Sequence, residues 1–432
     1  MVTVLHFADL HLGVENYGRL DAATGLHSRL QDFLRSFDEL VEYALNQPVD
    51  LVLFAGDVYK GRDPSPTHQR EFARRIHHLA SAGIPVFLLV GNHDLPGTAG
   101  RANTVDIFST LEVPNVWVAR TLGTQRISTR SGPVQVVALP WLTRSYLLRR
   151  EDLKNCTLAE IEERTLQELE RLLKAEVSRL DPGLPSILAV HGAVQGAVWG
   201  SEHSVMLGRE LVLPPGLLKN PAFDYVALGH IHRHQVLEGP AGGAPMVYSG
   251  SLDRVDFGEE AEAKGFVLAQ VQKGQAQYQF RKLESTRRFV TVEVQADGDD
   301  PMAQVRQAIQ ARDIRDAIVR LIIHTTAEKN HLLQDTEIHA LLADAFKVAT
   351  VVRDVKRSAR IRIGSNQNIE QMTPLEVLQA YLQQARSMPT ERMDRLLELA
   401  QKIMAGTPSY QSLAAGDGPS LAAGDGLGGS QD

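Results

Sequence analysis

Five short, mostly apolar runs of the chain each end in a group of polar residues. The clearest is 52–55, in which four apolar residues lead into Gly56 and Asp57. An apolar run of this length predicts a strand that is buried on both faces and brings its last residues to the rim of a sheet. The other runs, 4–8, 86–90, 187–190 and 225–228, lead into Asp9-Leu10-His11, Gly91-Asn92-His93-Asp94, His191-Gly192 and Gly229-His230-Ile231-His232.

Apolar residues between the first strands recur every three or four positions. This spacing predicts amphipathic helices over 26–46 and 66–82, so the chain opens as repeated strand–helix–strand units. Such alternation implies a mostly parallel sheet that is covered by helices. In open sheets of this kind ligands bind beyond the carboxyl ends of the strands, which is where all five polar groups fall.

The residues after 103 predict a mixed region and, over 224–283, antiparallel additions to a second sheet. Short strands are expected near 116–118, 126–129 and 134–139, then a long helix from about 158 to 180, then short strands separated by Gly/Pro turns over 224–283. We therefore expect an α/β fold in which two sheets pack face to face as a sandwich and are flanked by helices.

The C-terminal third has a different organisation. Residues 289–356 alternate strand, helix, strand, helix, strand and contain none of the five polar groups, which predicts a small α+β capping domain beside the site. Thr373 to Glu376 predict a capped helix start, and two helices with apolar stripes follow. The predicted division is 1–284 for the main domain, 285–363 for the capping domain, 364–372 for a linker, 373–405 for a helical docking segment and 406–432 for a disordered tail.

Composition sets few limits on this picture. A chain of 432 residues with 43% hydrophobic and 22% charged residues is typical of a globular protein with two or three domains. The formal charge of −7 gives no overall footprint for nucleic acid, but a local basic groove or bound cations would suffice for binding. The net charge therefore does not decide whether the partner is a nucleic acid.

Cys156 is the only cysteine, so no disulfide framework and no thiolate metal cluster is expected. The N-terminus lacks the unbroken apolar segment of a secretory signal, and no window approaches the roughly 18 apolar residues of a membrane span. We therefore expect an intracellular, cytoplasmic protein that does not enter membranes.

The polar groups at the strand ends offer nitrogen and oxygen ligands without sulfur. This mixture suits manganese, iron or zinc, with manganese favoured, and Mg²⁺ or another divalent ion would also be accepted. Seven side chains are too many for one ion with an open position and fit two ions that share Asp57. His93 is a candidate general acid, with Asp94 expected to orient it. The seven candidate ligands are Asp9, His11, Asp57, Asn92, His191, His230 and His232.

Taken in this order, the five polar groups resemble the five motifs of the calcineurin-like metallophosphoesterases. Within that superfamily the chain is similar to the SbcD-type nucleases of DNA double-strand-break repair. The resemblance covers about residues 1–404 and is narrowed by Arg62-Asp63-Pro64-Ser65-Pro66, Tyr248-Ser249-Gly250-Ser251, Lys264-Gly265-Phe266 and the helix start at Thr373.

The resemblance implies a ligand set and an activity. It implies one Mn²⁺ bound by Asp9, His11, Asp57 and His232 and a second bound by Asp57, Asn92, His191 and His230, with His93 assisting phosphodiester cleavage. It also implies 3′-to-5′ exonuclease action on duplex DNA ends and endonuclease action on single strands or hairpins. The expected assembly is a homodimer, nucleoid-associated when it acts on DNA, that binds an SMC-like ATPase of the SbcC type through residues 373–404.

Lys60 departs from the pattern of such relatives, which often carry histidine or aspartate at this place. A lysine there could contact phosphate, so Lys60 and Arg62 are the candidate DNA-binding residues, and the balance between exonuclease and endonuclease action stays open.

Two alternatives also stay open. One is a phosphodiesterase of the same superfamily that acts on small phosphodiesters. The other is a protein that mainly tethers DNA ends, in which binding matters more than cutting.

Overall fold

Two six-stranded sheets form the main body of the protein. The computed structural model describes residues 1–96, 101–141, 156–200, 210–237, 243–356, 373–384 and 390–406. The chain divides into two units, Met1–Asp354 and Val355–Asp432.

The strands and helices follow one another as the apolar pattern predicts. The helices are α1 (Ser28–Asn46), α2 (Pro66–Ser81), α3 (Asp106–Thr110), α4 (Leu158–Val177), α5 (Pro215–Leu218), α6 (Pro301–Gln310), α7 (Asp335–Leu341), α8 (Pro374–Gln384) and α9 (Thr390–Gly406). The strands are β1 (Val2–Phe7), β2 (Leu51–Phe54), β3 (Val86–Leu89), β4 (Val116–Ala119), β5 (Gly123–Thr129), β6 (Gly132–Leu139), β7 (Ser186–His191), β8 (Tyr225–Gly229), β9 (Gln235–Leu237), β10 (Met246–Tyr248), β11 (Gly265–Gln272), β12 (Gln275–Lys282), β13 (Phe289–Gln295), β14 (Ile318–Thr326) and β15 (Lys347–Lys356).

The strand order explains how the site is assembled. The first sheet has the order β12-β11-β1-β2-β3-β4, and the second has the order β5-β6-β7-β8-β10-β9. Strands β1 to β4 pair in parallel, as do β6, β7 and β8, so the carboxyl ends within each set lie at one edge. The predicted two-sheet sandwich flanked by helices is confirmed. The strands over 224–283 do not all join the second sheet, because β11 and β12 add antiparallel to the first sheet beside β1.

Alternate residues of the central strands serve two cores. Val4 and Leu53 of the first sheet belong to a buried cluster that also contains Ile187 and Ala227 of the second sheet. Leu5, on the other face of the first sheet, clusters with apolar residues of α1 and α2. Burying one such aliphatic side chain contributes roughly 1.5–3 kcal/mol, so slippage of a strand by one residue would be costly.

Strands β13, β14 and β15 form a third sheet with α6 and α7, in the order predicted for residues 289–356. This part has its own apolar core. It is fastened to the main body by Arg287, whose Nε and Nη2 donate to both oxygens of Asp32 on α1 at 2.8 Å. A boundary at 284/285 remains a prediction.

The second unit contains α8 and α9. The predicted capping box is present, because Thr373 N donates to Glu376 Oε2 at 2.7 Å and Glu376 N to Thr373 Oγ1 at 3.4 Å. The predicted linker at 364–372 and nearly all of the predicted tail at 406–432 lie outside the described residues. Within the described ranges, no helix has both the length and the apolar character that crossing a bilayer requires.

Candidate metal centre

The seven candidate ligands lie together where the central strands of the two sheets end. The first sheet contributes the residues after β1, β2 and β3, and the second sheet contributes the end of β7 and the residues after β8. In chain order, Asp9 and His11 follow β1, Asp57 follows β2, Asn92 follows β3, His191 ends β7, and His230 and His232 follow β8.

Four of these residues adopt backbone conformations that residues with a side chain rarely accept. The φ angles are 53° for Asp9, 46° for His11, 64° for Asp57 and 101° for His230. Such conformations cost of the order of 1–3 kcal/mol each and persist only where the surroundings impose them. The strand ends therefore turn sharply so that side chains from separate strands meet.

Two glycines leave room for this convergence. A Cβ atom at Gly56, whose φ is 101°, would lie 2.2 Å from Nδ1 of His191. A Cβ atom at Gly91 would lie 2.1 Å from Oδ1 of Asp57. Both distances are far below van der Waals separation, so the positions of Asp57 and His191 depend on glycine at these sites.

One group of donor atoms is formed by Asp9, His11 and His232, which are all buried and offer ligand atoms within 4.8 Å of one another. Nε2 of His11 lies 2.9 Å from Nε2 of His232 and 3.9 Å from Oδ2 of Asp57. Two imidazole nitrogens and two carboxylates thus surround one space.

A second group is formed by Asp57, His191 and His230. Nε2 of His191 lies 3.3 Å from Oδ2 of Asp57 and 2.9 Å from Oδ1 of Asn92, and Nδ1 of His230 lies 3.1 Å from the same Asn92 oxygen. Asp57 lies between this group and His11. This arrangement of nitrogen and oxygen donors indicates a site for two divalent cations.

The outer nitrogens of two histidines fix which ring atom faces inward. His191 Nδ1 donates to the carbonyl oxygen of Ala55 at 2.7 Å, and His232 Nδ1 lies 2.7 Å from Oε1 of Glu259. A neutral imidazole held in this way carries its lone pair on Nε2, the atom that points into the site. In their neutral form both histidines therefore have the tautomer that binds a metal ion, and the residues fit the group.

The ring of His230 has the opposite orientation to those of His191 and His232. Its Nδ1 faces Asn92, and its Nε2 lies 2.6 Å from Oε1 of Glu210 without the geometry of a hydrogen bond. Its backbone N–H donates to both oxygens of Asp9, at 3.0 and 2.9 Å. One residue thus joins the two donor groups.

The electrostatics of the centre favour positive charge. Burial disfavours a charged imidazole at His191, but the facing carboxylate of Asp57 outweighs burial and raises the pKa of His191 to about 9. Burial would raise the pKa of Asp57, yet His191 above all holds it far below its usual range. Burial raises the pKa of Asp9. Positive charge close to these carboxylates, from a protonated histidine or a bound cation, therefore stabilises their ionised form.

Asp94 does not have the role predicted for it. Its oxygens accept from the backbone N–H groups of Asp57 at 3.0 Å, Val58 at 2.9 Å and Gly91 at 3.0 Å, so it joins the loops after β2 and β3. Burial first, and Asp57 second, raise its pKa to about 6. The expectation that Asp94 orients His93 is corrected, because Nδ1 of His93 instead contacts the Lys60 carbonyl oxygen at 2.6 Å.

Three residues that support the centre have roles the sequence does not predict. Glu210 contacts His230, Glu259 contacts His232, and Lys264 lies 2.8 Å from Glu259. Glu259 lies in a stretch without an apolar run that would mark it, and the short apolar run 211–213 after Glu210 does not end in that residue. Lys264 does carry a signal, since it directly precedes the strand that begins at Gly265 and needs an acidic partner if it is buried.

The candidate DNA-binding side chains, Lys60 and Arg62, lie in the loop after β2, where Lys60 is exposed. His93 is partly exposed on the same side of the centre, since it contacts the backbone of this loop. The loop is therefore open to a substrate that approaches His93.

Comparison with known proteins agrees with this geometry. The chain is 30% identical over 326 residues to the DNA double-strand break repair protein Mre11 of Haloferax volcanii, a match that covers 74% of this chain and 60% of the relative. It is 27% identical over 425 residues to the SbcD subunit of the nuclease SbcCD from Escherichia coli K12, a match that covers 93% of this chain and 98% of the relative. The resemblance to SbcD-type nucleases is thereby confirmed.

The extent of similarity differs among the relatives. The Mre11 protein of Archaeoglobus fulgidus is 27% identical over 257 residues, or 60% of this chain, and the match spans 51% of that relative. The chain thus spans about half to three fifths of the two archaeal relatives' length. Residues 2–234, which carry all five strand ends and every candidate ligand, match the calcineurin-like phosphoesterase family, and the chain belongs to that family.

Proposed function

We propose that this protein is a manganese-dependent DNA nuclease that processes DNA ends in double-strand-break repair. The observation that carries the proposal is the convergence of nitrogen and oxygen donors on both sides of Asp57. In our proposal Asp9, His11, Asp57 and His232 bind one Mn²⁺ ion, and Asp57, Asn92, His191 and His230 bind the other.

When bound, such a pair of ions supplies an activated water and neutralises a phosphodiester oxygen during in-line displacement. The protein's own contribution is to hold the ligands still. Asp94 ties the loop of Asp57 to the loop of Asn92 through backbone N–H groups, and Ala55 fixes the ring of His191. Their positions therefore need little adjustment when substrate arrives.

His93 is proposed to protonate the departing alkoxide. A carbonyl oxygen can only accept, so the contact with Lys60 keeps a proton on Nδ1 of His93 and leaves Nε2 to exchange protons with the substrate. The ring centroid of His93 lies 5.0 Å from that of His11, next to the first donor group. This geometry supports a proton donor beside the proposed ions, and a ring nitrogen of His93 also lies within 4.8 Å of donor atoms of His11 and Asp57.

The substrate assignment is supported by relatives named as a DNA double-strand break repair protein and as part of a nuclease. The cationic side chains of Lys60 and Arg62 are proposed to contact the phosphate backbone beside the cleavage site. We infer exonuclease action on duplex ends in the 3′-to-5′ direction and endonuclease action on single strands or hairpins.

The same resemblance supports a larger assembly. We propose that residues 285–363 cap the site and contact DNA, that residues 373–404 bind the coiled coil of an SbcC-type ATPase, and that the chain acts as a homodimer. On α9, the exposed side chains of Leu396, Leu399 and Ile403 are an apolar surface of the kind that binds a partner helix.

The decisive experiment compares substrates under identical conditions. The purified chain is incubated with MnCl₂ and either linear duplex DNA labelled at the 3′ end or bis(4-nitrophenyl) phosphate. We expect manganese-dependent release of nucleotides from the duplex. Hydrolysis of the chromogenic ester without any cleavage of DNA would replace the nuclease with an enzyme of small phosphodiesters.

A further inference from the structure

A buried pair of side chains lies behind His232, on the side away from the metal centre. Oε1 of Glu259 lies 2.7 Å from Nδ1 of His232, and Oε2 of Glu259 lies 2.8 Å from Nζ of Lys264. Glu259 is 0% exposed and Lys264 1%. Burying both charges is costly, so a merely structural pair would be poorly repaid here.

The ammonium group of Lys264 contacts several other groups around His232. Its Nζ also donates to the carbonyl oxygen of His232 at 3.1 Å and to Oγ of Ser251 at 2.8 Å. The lysine therefore fixes the backbone of His232 as well as the carboxylate that contacts its ring. Both the position and the tautomer of His232 are set by one network.

Glu259 is the last residue of a 3-10 turn, Phe257–Glu259, that the third sheet holds in place. The ring of Phe257 packs against Phe289 of β13 with centroids 5.0 Å apart, and the guanidinium of Arg320 on β14 lies 4.5 Å from the Phe257 centroid. The turn is thus packed against the capping sheet, by which we mean β13 to β15.

The residue after the turn makes a second connection. Glu260 accepts from the backbone N–H of Thr291 at 2.8 Å and from its hydroxyl at 2.6 Å. Nη2 of Arg320 donates to the same hydroxyl at 3.0 Å. A continuous chain of contacts therefore runs from the capping sheet through residues 257–260 to His232.

We infer that Glu259 is a positioning residue for His232. The capping sheet holds the turn that bears Glu259, and it thereby sets the affinity of the centre for the cation that His232 is proposed to bind. The inference rests on the proposed metal pair. Glu259 acts through the histidine, since it contacts the nitrogen that faces away from the centre.

The first test measures Mn²⁺ binding to the full-length chain by isothermal titration calorimetry. Glu259→Gln should weaken binding of one of the two ions by roughly 10- to 100-fold, because an amide that accepts from Lys264 presents its NH₂ to His232 and favours the wrong tautomer. The matched control is Glu262→Gln, which removes another carboxylate 2.8 Å from Lys264 without touching His232 and should bind both ions as the unchanged chain does.

The outcomes separate this inference from the function on which it rests. If the unchanged chain binds fewer than two Mn²⁺ ions, the proposed metal pair itself fails. If it binds two and Glu259→Gln binds both with unchanged affinity, only the positioning role of Glu259 is refuted.

A second measurement does not depend on any variant folding. The ¹⁵N shifts of His232 in the unchanged, metal-free chain should report a proton on Nδ1 and none on Nε2. The reverse tautomer would overturn the inference.

The contribution of the capping sheet is tested with Thr291→Val, which removes the hydroxyl that contacts Glu260. We expect about threefold weaker binding of the same ion, less than the full value of one hydrogen bond to a carboxylate, because the effect reaches the ion only through Glu260 and Glu259. Thr350→Val, on β15 of the same sheet, is the control for a general effect on this sheet. Equal affinities for Thr291→Val and the unchanged chain would remove the capping sheet from the inference.

Discussion

Nδ1 of His93 lies 2.6 Å from the carbonyl oxygen of Lys60. The backbone of one predicted substrate-contacting residue thus orients the predicted acid, whatever side chain that residue carries. The Lys60 side chain is predicted to contact phosphate, and the Lys60 carbonyl oxygen orients His93. The two roles can be tested separately, because replacing the lysine side chain leaves the carbonyl oxygen in place.

Replacing His93 by glutamine should lower the rate of DNA cleavage by roughly 10²- to 10⁴-fold and leave Mn²⁺ and DNA binding intact, because an amide cannot donate a proton to the alkoxide. Single-turnover cleavage and DNA-binding assays check this. His77→Gln, an exposed histidine on α2, is the control. A cleavage rate within about twofold of the unchanged chain would exclude His93 as the acid. If His93→Gln still supports repair in cells, tethering of ends is the main role.

Replacing Gly91 by alanine should weaken Mn²⁺ binding by at least roughly tenfold, since the new Cβ would lie 2.1 Å from Oδ1 of Asp57 and must displace this proposed bridging ligand. Calorimetric titration with MnCl₂ measures the effect. Gly61→Ala, in the neighbouring loop with nothing within 4 Å of its Cβ, should bind as the unchanged chain does. Equal affinity of both variants would show that Asp57 is not a ligand.

The double replacement Lys60→Ala/Arg62→Ala should weaken DNA binding and reduce the slope of log K against log salt by about 0.9 for each phosphate that is no longer neutralised. Fluorescence anisotropy at several salt concentrations provides the slope. Arg171→Ala/Lys174→Ala removes the same charge from exposed positions of α4 and should leave the slope unchanged. An unchanged slope in the loop variant would place the phosphate contacts elsewhere.

Replacing Arg287 by methionine should lower the free energy of unfolding by about 2 kcal/mol, because Asp32 would lose a bidentate partner but keep its buried pair with Arg29 at 2.8 Å. Urea denaturation checks this value. The neighbouring Arg288 pairs with Asp313 at 3.0 Å on the surface, so Arg288→Met should cost less than about 1 kcal/mol. Equal losses for the two variants would mean that Arg287 does not fasten the third sheet to α1.

His324 gives the third sheet a dependence on pH. Hydrogen bonds to Glu293, and next to Asp354, raise the pKa of His324 above the usual 6.5. A raised pKa means that the stabilisation is complete below the unfolded-state pKa and is lost as pH rises through the folded-state pKa. The melting temperature should therefore fall over this range in the unchanged chain, more than in His324→Gln. Parallel pH profiles of the two proteins would contradict the assignment.

Much of the fold could be predicted because buried strands and amphipathic helices leave simple apolar patterns. The expected alternation over 289–356 agrees with β13 to β15, α6 and α7 to within a few residues. The capped helix start at Thr373 and Glu376 could also be predicted, because a short local motif determines the structure there.

The groups that support the centre could not be predicted in the same way. Glu210 and Glu259 reach their histidines from loops whose course depends on packing of distant segments, and Asp94 binds backbone groups that no side-chain motif records. The left-handed backbone of Asp57 is likewise a result of tertiary structure. Local patterns report which residues could bind a metal but not which neighbours hold them.

The candidate ligands come from both layers of the sandwich. Asp9, His11, Asp57 and Asn92 belong to one sheet, and the three remaining histidines to the other. Ions bound between the two sheets would link them, since neither sheet alone offers a full set of donors. Heat resistance should consequently climb with the concentration of free Mn²⁺, and separating the two layers should expel the ions.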